Sequence, residues 1–265
     1  MTSIAVITGA ASGIGLASAR RLLDEGWIVI ALDISESRLT AMRETLSIFA
    51  DRLVTLACDV ASPAQVESVF AQIESRHSGI NALICCAGIL RLGSLEDMPV
   101  EEFDQVFKVN TRGPWLCARA ALSPLKRAAA SGQAARIVFL SSIAALRPKI
   151  GGGAYAGSKA ALSQLARVLA VECAGSGILV NAIAPGTVDT PMIHAVSDPV
   201  RTGQYRPSGA SPLGRVAMPD DVASVVWFLL GNDARYITGT TIPVDGGTIA
   251  AFVPPASVEP LKPGE

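Results

Sequence analysis

Seven short apolar runs, each followed by a longer stretch or loop of different character, constrain this chain more than anything else in its sequence. They lie at residues 4–8, 27–32, 53–58, 82–86, 137–140, 179–183 and 241–244. A strand with one wet face alternates apolar and polar residues. These runs do not alternate, so both of their faces are expected to be buried. Parallel strands need crossovers of a dozen or more residues, and the stretches between the runs are long enough to supply them as helices. The expectation is a doubly wound α/β domain, a parallel sheet with helices on both faces. Two helix starts are written plainly. Ser62-Pro63 offers an N-cap with proline in the first turn, and Met218-Pro219-Asp220-Asp221 opens the last helix with proline and two acids.

A chain of 265 residues with 50% hydrophobic and 17% charged residues can bury a large core, which excludes disorder. A net charge of −1 gives no electrostatic footprint for nucleic acid or an anionic membrane. No run approaches the roughly 20 apolar residues of a membrane span. No repeat or linker divides residues 1–251, which read as one domain. Residues 191–212, rich in Pro, Ser and Gly, are too long for an ordinary connection and form a candidate lid. Residues 252–265 hold Pro254, Pro255, Pro260 and Pro263 and read as an extended tail, frayed or laid on a neighbouring subunit. Charge this sparse suggests that some apolar surface is covered in a homo-oligomer.

Cys58, Cys85, Cys86, Cys117 and Cys173 are odd in number, irregularly spaced and set among apolar residues, unlike a disulfide framework or a zinc site. They read as core thiols. The adjacent Cys85 and Cys86 should point to opposite faces of a strand. No basic leader precedes the first run, which leads straight into a glycine loop that cleavage would destroy, so no signal peptide is expected. The expected location is the reducing cytoplasm.

That loop is Thr8-Gly9-Ala10-Ala11-Ser12-Gly13-Ile14-Gly15, between the first strand and an apolar helix expected from near Leu16. At a strand-to-helix turn, glycines let the backbone approach a pyrophosphate, and the helix N-terminus supplies free N–H groups and positive dipole. The G-x-x-x-G-x-G spacing is a weak signal alone. It gains weight because the second strand ends at Asp33, about where a carboxylate binds the hydroxyls of an adenosine ribose. A carboxylate there repels a 2′-phosphate, and no Arg or Lys sits in the loop or just after Asp33, the nearest being Arg38. The expected cofactor is NAD, contacted by Gly9, Ser12, Gly13, Ile14, Gly15 and Asp33.

Beyond the fifth strand come Ser141-Ser142 and then Tyr155-Ala156-Gly157-Ser158-Lys159, heading a long apolar helix. Tyr155 and Lys159 are four apart and share one helical face. A free tyrosine is a poor base at neutral pH, but a neighbouring ammonium and a cationic nicotinamide favour its phenolate.

From Thr8-Gly9 through Asn110, Ser142, Tyr155 and Lys159 to Pro185-Gly186 and Asp245-Gly246-Gly247, the chain resembles the short-chain dehydrogenases/reductases. The resemblance implies a seven-stranded Rossmann-type domain transferring hydride between nicotinamide and a secondary alcohol or ketone, without a metal. It makes Tyr155 the general acid/base and has Lys159 lower the tyrosine pKa and hold the nicotinamide ribose. Ser142 would orient the substrate oxygen, chosen over Ser141 because its offset from the tyrosine resembles the family's. Asn110 would hold a water relaying protons to Lys159. Asp59 and Val60 look like adenine contacts, Ala87 and Gly88 like backbone contacts to cofactor, and Pro185, Gly186, Val188 and Thr190 like the segment that fixes the carboxamide. The resemblance also suggests a homotetramer joined through the two long helices and the C-terminal segment. One departure is Cys85-Cys86-Ala87-Gly88 where the family usually has Asn-Asn-Ala-Gly, which is expected to affect stability or local packing rather than chemistry.

Substrate contacts are expected from residues 89–92, 143–150 and the lid. Arg91 and Arg147 could clamp a carboxylate, although exposed arginines are usually only solvated. Gly151-Gly152-Gly153 leaves room for a ring beside the nicotinamide, or is simply a flexible loop. An alternative substrate is a carboxylated cyclic dihydrodiol, and a competing class is a non-catalytic dinucleotide-binding regulator. Neither histidine has ligand-like spacing, so no metal is expected. His77 ends a predicted helix and reads as solvated, while His194 falls on the lid, with substrate contact the lesser alternative.

Overall fold

A computed structural model describes residues 2–195 and 209–251. The seven apolar runs form β1 (Ile4–Thr8), β2 (Ile28–Asp33), β3 (Leu53–Ala57), β4 (Ala82–Cys85), β5 (Ala135–Leu140), β6 (Ile178–Pro185) and β7 (Thr241–Val244). All neighbours pair in parallel, in the order β3-β2-β1-β4-β5-β6-β7. The strand order reverses between β1 and β4, and a crevice opens at such a point beyond the strand C-termini.

Period-two alternation divides the sheet between two cores. Val6, Leu83, Cys85, Ile137, Phe139 and Val180 face one, where α3 (Pro63–Arg76), α5 (Gly113–Ala130) and α6 (Gly153–Ala174) pack. Ala5, Ile7, Ala82, Ile84, Val138 and Ile183 face the other, where α1 (Gly13–Asp24), α2 (Glu36–Thr45) and α8 (Pro219–Leu230) pack. Both faces are covered, and this is why the runs lack polar alternation. Two short helices, α4 (Val100–Phe107) and α7 (Pro191–His194), complete the described α-helices.

Some boundaries differ from the sequence expectation. Helix α1 starts at Gly13 rather than near Leu16, because the Leu16 amide already donates to the Ser12 carbonyl at 3.2 Å and the end of the glycine loop is the first helical turn. Strand β5 begins at Ala135, ahead of Arg136, a buried cation that conceals the strand in an apolar count. Strand β6 runs on to Pro185, and its Asn181 is satisfied from the side by the Ile237 carbonyl at 2.8 Å and the Thr240 amide at 3.2 Å. Pro243 lies in β7, an edge strand, where a missing N–H is tolerated.

The two helix starts form as expected. Ser62 Oγ accepts the Gln65 amide at 3.4 Å, and Asp221 accepts the Met218 amide at 2.7 Å while pairing with both terminal nitrogens of Arg215. All five cysteines are free thiols. Cys85 belongs to one core and Cys86 packs against the other, and burial raises the Cys58 thiol to about 11 and that of Cys86 to about 12. Of the candidate lid, residues 191–195 and 209–212 are described and 196–208 lie outside the described residues, as does the tail at 252–265.

Candidate active site

A cleft of about 360 Å³ runs along the C-terminal ends of the strands, from the glycine loop to the head of α6. Close backbone approach shapes its first part. A Cβ on Gly9, whose φ is +63°, would lie 2.7 Å from the Ala87 backbone, and one on Gly15 would lie 2.2 Å from the Gly9 carbonyl oxygen. Ser12, the N-cap of α1, makes no side-chain cap, and the first turn of the helix carries no acidic side chain. The leading N–H groups of α1 therefore open on the cleft with their positive dipole unopposed, as an anionic pyrophosphate requires.

Asp33, at the end of β2, is only 6% exposed. Its carboxylate accepts the Ala11 amide at 3.2 Å and the Ser35 amide at 3.0 Å, which ties the glycine loop to β2 and α2. Arg38, on the first turn of α2, lines the same stretch of cleft. Asp59 and Val60 follow after β3, with Asp59 Oδ1 accepting the Ala61 amide at 2.8 Å.

The Cys85-Cys86-Ala87-Gly88 turn is fastened to β1 by Thr8. Its carbonyl accepts the Cys86 amide at 3.1 Å and its hydroxyl accepts the Ala87 amide at 3.2 Å. Backbone groups and Thr8 thus hold this turn where the family pattern has asparagines. The turn needs no cysteine side-chain hydrogen bond for this attachment.

At the other end, Tyr155 and Lys159 stand one turn apart near the start of α6, with Lys159 Nζ 5.8 Å from the centre of the Tyr155 ring. The ammonium donates to the Leu140 carbonyl at 2.7 Å. Burial lowers the Lys159 pKa to about 8. Ser142 lines the cleft, and its Oγ accepts the Ala144 amide at 3.1 Å. The neighbouring Ser141 is spent on structure: its hydroxyl bonds the Lys159 carbonyl at 3.0 Å and Ser163 Oγ at 2.7 Å.

Every residue expected to touch cofactor lines this one cleft, including Pro185, Gly186, Val188 and Thr190 after β6. Of the four catalytic candidates, Ser142, Tyr155 and Lys159 line it and Asn110 does not. Asn110 is fully buried on a π-helical turn, Lys108–Arg112, between α4 and α5. Its amide exchanges hydrogen bonds with the Ile89 backbone at 2.8 and 2.9 Å and donates to Ser158 Oγ at 3.1 Å. A methyl group placed at Gly88 would touch both Asn110 Oδ1 and Lys159 Nζ, so the asparagine lies just behind the cleft wall.

A smaller chamber of about 80 Å³ opens beside the head of α6 and shares Ser142, Tyr155, Gly186, Met192 and Ile193 with the cleft. Arg147 and Lys149 line it, whereas Arg91 does not. His194 faces away: it is exposed, and its Nε2 pairs with Asp189 Oδ1 at 2.5 Å.

Residues 9–248 match a family model described as enoyl-(acyl carrier protein) reductase. The chain belongs to the short-chain dehydrogenase/reductase family. It is 36% identical to 2-(R)-hydroxypropyl-CoM dehydrogenase of Xanthobacter autotrophicus over 94% of this chain and 100% of that protein. It is 35% identical to a chloroplastic NADPH-dependent aldehyde reductase-like protein of Arabidopsis thaliana, covering 93% of this chain and 94% of the relative. Among solved structures, a 3-ketoacyl-(acyl-carrier-protein) reductase of Brucella melitensis complexed with NADH superposes with a TM-score of 0.83 at 29% identity, covering 93% of this chain and 98% of that one.

Membership of the short-chain dehydrogenases/reductases brings a nicotinamide-dinucleotide fold and oxidoreductase chemistry on alcohols and ketones. The site also contains residues that motif reading did not reach. Gln105 and Val109 enter the cleft from α4 and the π turn, far from any glycine loop or strand end. Cys58 and Ile34 enter simply because they neighbour Asp59 and Asp33, a signal the strand ends already carried.

Proposed function

We propose that the protein is an NAD-dependent oxidoreductase that interconverts a secondary alcohol and its ketone, with Tyr155 as general acid/base. One observation carries this reading: Ser142, Tyr155 and Lys159 line the end of the same cleft that begins at the uncapped N-terminus of α1. When bound, the dinucleotide supplies the hydride acceptor or donor, and Gly9, Ser12, Gly13, Ile14 and Gly15 would hold its pyrophosphate. Asp33 would hold the adenosine ribose, Asp59 and Val60 the adenine, and the Ala87-Gly88 backbone the middle of the cofactor. Pro185, Gly186, Val188 and Thr190 would hold its carboxamide.

The side chains divide the proton chemistry. In the oxidative direction the Tyr155 phenolate takes the alcohol proton, and in the reductive direction its phenol returns one to the substrate oxygen. The Lys159 ammonium beside the ring favours the phenolate, and the same group would hold the nicotinamide ribose. Because Ser142 Oγ already accepts the Ala144 amide, its own hydrogen is left to donate to the substrate oxygen. Asn110 is assigned the relay position, since its Oδ1 borders Gly88 together with Lys159 and keeps one lone pair beyond its Ile89 bond for a water.

The preference for NAD is supported by the buried Asp33 carboxylate, which would repel a 2′-phosphate. A homotetramer is supported by apolar surface on the two long helices: Leu165, Val168 and Val171 on α6 and Trp115 on α5 are all exposed. Light scattering on the purified protein tests it, and a monomeric mass would remove it. A cytoplasmic location is supported by five free thiols, and no helix among the described residues is long and apolar enough to cross a membrane.

The test is a panel of secondary alcohols and ketones followed by NADH absorbance, with Tyr155→Phe alongside the wild type. The variant should bind NADH as before, by fluorescence titration, and lose about 10²–10⁴-fold in kcat. Tight NADH binding by a wild-type protein that turns over no panel member would instead favour a dinucleotide-binding regulator.

A further inference from the structure

We propose that Leu95, seated on Gly153 at the head of α6, is a positioning residue that fixes one wall of the small chamber beside Tyr155 and so limits the bulk of the ketone or alcohol admitted there. This rests on the oxidoreductase reading, which makes the chamber the place for the substrate body, and adds what sets its width.

The three consecutive glycines before Tyr155 are put to three different uses. Gly151 has a φ of +77°, and its carbonyl accepts the Gly93 amide at 3.0 Å. Gly152 forms a parallel bridge with Gly93 and alone of the three lines the chamber. Gly153, the first residue of α6, gives its missing side-chain volume to Leu95: a Cβ there would lie 2.6, 2.8 and 2.9 Å from Leu95 Cγ, Cδ2 and Cδ1. The run is therefore the track on which residues 93–95 are seated, and the space at Gly153 belongs to Leu95 rather than to a ring.

A closed turn presents Leu95 to this seat. Ser94 Oγ donates to Asp97 Oδ2 at 2.6 Å and accepts the Asp97 amide at 3.1 Å, while the Met98 amide donates to the Ser94 carbonyl at 3.1 Å. Leu95 is nevertheless 66% exposed, so its own burial contributes little and its contact with Gly153 is what places it.

Residues 89–95 are thus tied at both ends. At the near end Asn110 holds the Ile89 amide at 2.8 Å and the Ile89 carbonyl at 2.9 Å. At the far end the Gly93 bridge and the Leu95 seat fasten the segment to α6. Between the ties lies Leu90, which is buried and lines the chamber of about 80 Å³ together with Ile143, Met192 and Ile193. A strap tied at both ends cannot yield to a bulky ligand at Leu90 without breaking a tie, whereas one released at Leu95 opens at lower cost. Because Leu95 is exposed, a methyl group at position 153 displaces the leucine rather than the backbone, so Leu95→Ala and Gly153→Ala remove one contact from its two sides.

The experiment compares ketones that differ only in bulk, cyclohexanone with 4-tert-butylcyclohexanone and 2-butanone with 2-octanone. NADH oxidation is followed for wild type, Leu95→Ala, Gly153→Ala, the double variant and Leu95→Met, and NADH fluorescence titration checks the cofactor end of each. Both alanine variants should raise the large-to-small ratio of kcat/KM by about tenfold, with the change in KM of the larger ketone. The double variant should go no further than either single one, since the two share a single contact. Leu95→Met keeps the apolar volume and should stay near the wild-type ratio. Hydrogen exchange at the Gly93 amide gives a readout that needs no turnover, and it should speed up in both alanine variants.

An unmoved ratio in Leu95→Ala, or a double variant that shows the sum of two separate effects, overturns the proposal and leaves the oxidoreductase reading intact. A wild type that reduces none of the ketones counts against the oxidoreductase reading, and the strap is then decided by exchange alone: faster exchange at Gly93 in both alanine variants upholds Leu95 as its anchor, and unchanged exchange overturns it.

Discussion

The ammonium of Lys159 donates to the carbonyl oxygen of Leu140 at 2.7 Å, fixing the charge of α6 to the last residue of β5. The same strand end leads directly into Ser141 and Ser142, and Ser141 Oγ returns to the Lys159 carbonyl at 3.0 Å. Two hydrogen bonds in opposite directions therefore lock the lysine's turn of helix to the strand that delivers the serine. Tyr155, one turn earlier, inherits its position from that lock. The cost is a buried ammonium, for which the Leu140 carbonyl replaces only part of the lost hydration.

That cost is measurable through pH. Lys159 titrates near 8 in the folded protein, against 10.5 for its ordinary value, because burial disfavours the charged form. Between these limits the unfolded chain binds the extra proton, so the lysine's contribution to stability rises with pH across the window from 8 to 10.5. Below 8 the penalty is fully present. Denaturant titrations of cofactor-free wild type and Lys159→Met should show the difference, wild type minus variant, rising by roughly 3 kcal/mol across that window. A difference that stays flat with pH would mean that Lys159 is not buried as a charge.

Ser141 and Ser142 are adjacent and chemically identical, but they stand in different hydrogen-bond environments. Ser141→Ala removes a buried hydroxyl with two partners and should lower stability by about 1–3 kcal/mol. Ser142→Ala loses only the cap bond from the Ala144 amide, so it should cost less stability than Ser141→Ala, and it should reduce kcat by about a hundredfold, the scale for losing one donor to a reacting oxygen. Unfolding curves and NADH-coupled rates on the same two proteins decide the matter, and the opposite pairing of effects would exchange their roles.

How much of this was readable in the sequence depended on how each residue is used. The seven strands were legible because a sheet buried on both faces must be written in unbroken apolar runs. Arg136 and Asn181 blurred two of them, since each is a polar residue buried inside a strand and the side-chain arrangement that accommodates it comes from the fold. The glycine loop and Asp33 were legible from strand ends, and Tyr155 and Lys159 from a shared helical face, whereas Ser142 was told from Ser141 only by the family resemblance. Gln105 and the burial of Asn110 were not legible. Their places depend on how α4 and the π turn fold across the sheet edge, and no local pattern records that.

The glycines can be told apart by what surrounds them. Gly15 is helical, but a Cβ there would lie 2.2 Å from the Gly9 carbonyl oxygen, a backbone atom held by the loop. Gly15→Ala must push the glycine loop away from α1, costing about 1–3 kcal/mol and weakening NADH binding. Gly132 has a φ of +76° but open space where a Cβ would be. Gly132→Ala should cost only the strain of a left-handed residue, about 1 kcal/mol, and leave NADH affinity unchanged. Thermal unfolding and NADH fluorescence separate the two, and equal loss of NADH affinity in both would show that the loop does not depend on the close approach at Gly15.

Asp33 and Arg38 line the same part of the cleft with opposite charges, and the proposed preference for NAD rests on that pair. Asp33 is held by the Ala11 and Ser35 amides, so its carboxylate is fixed at the end of β2, whereas the Arg38 side chain extends from the surface helix α2. A fixed carboxylate accepts both ribose hydroxyls and opposes a phosphate on one of them. Asp33→Ala should therefore weaken NAD about tenfold or more and raise the NADP-to-NAD ratio of kcat/KM. Arg38 is then the only one of the pair left to meet a 2′-phosphate, and adding Arg38→Ala to Asp33→Ala should reverse that gain. Steady-state kinetics with both cofactors on the two variants measures this. A ratio unmoved by Asp33→Ala would remove Asp33 as the selector, and a gain that persists without Arg38 would assign the phosphate to the bare N-terminal amides of the glycine loop.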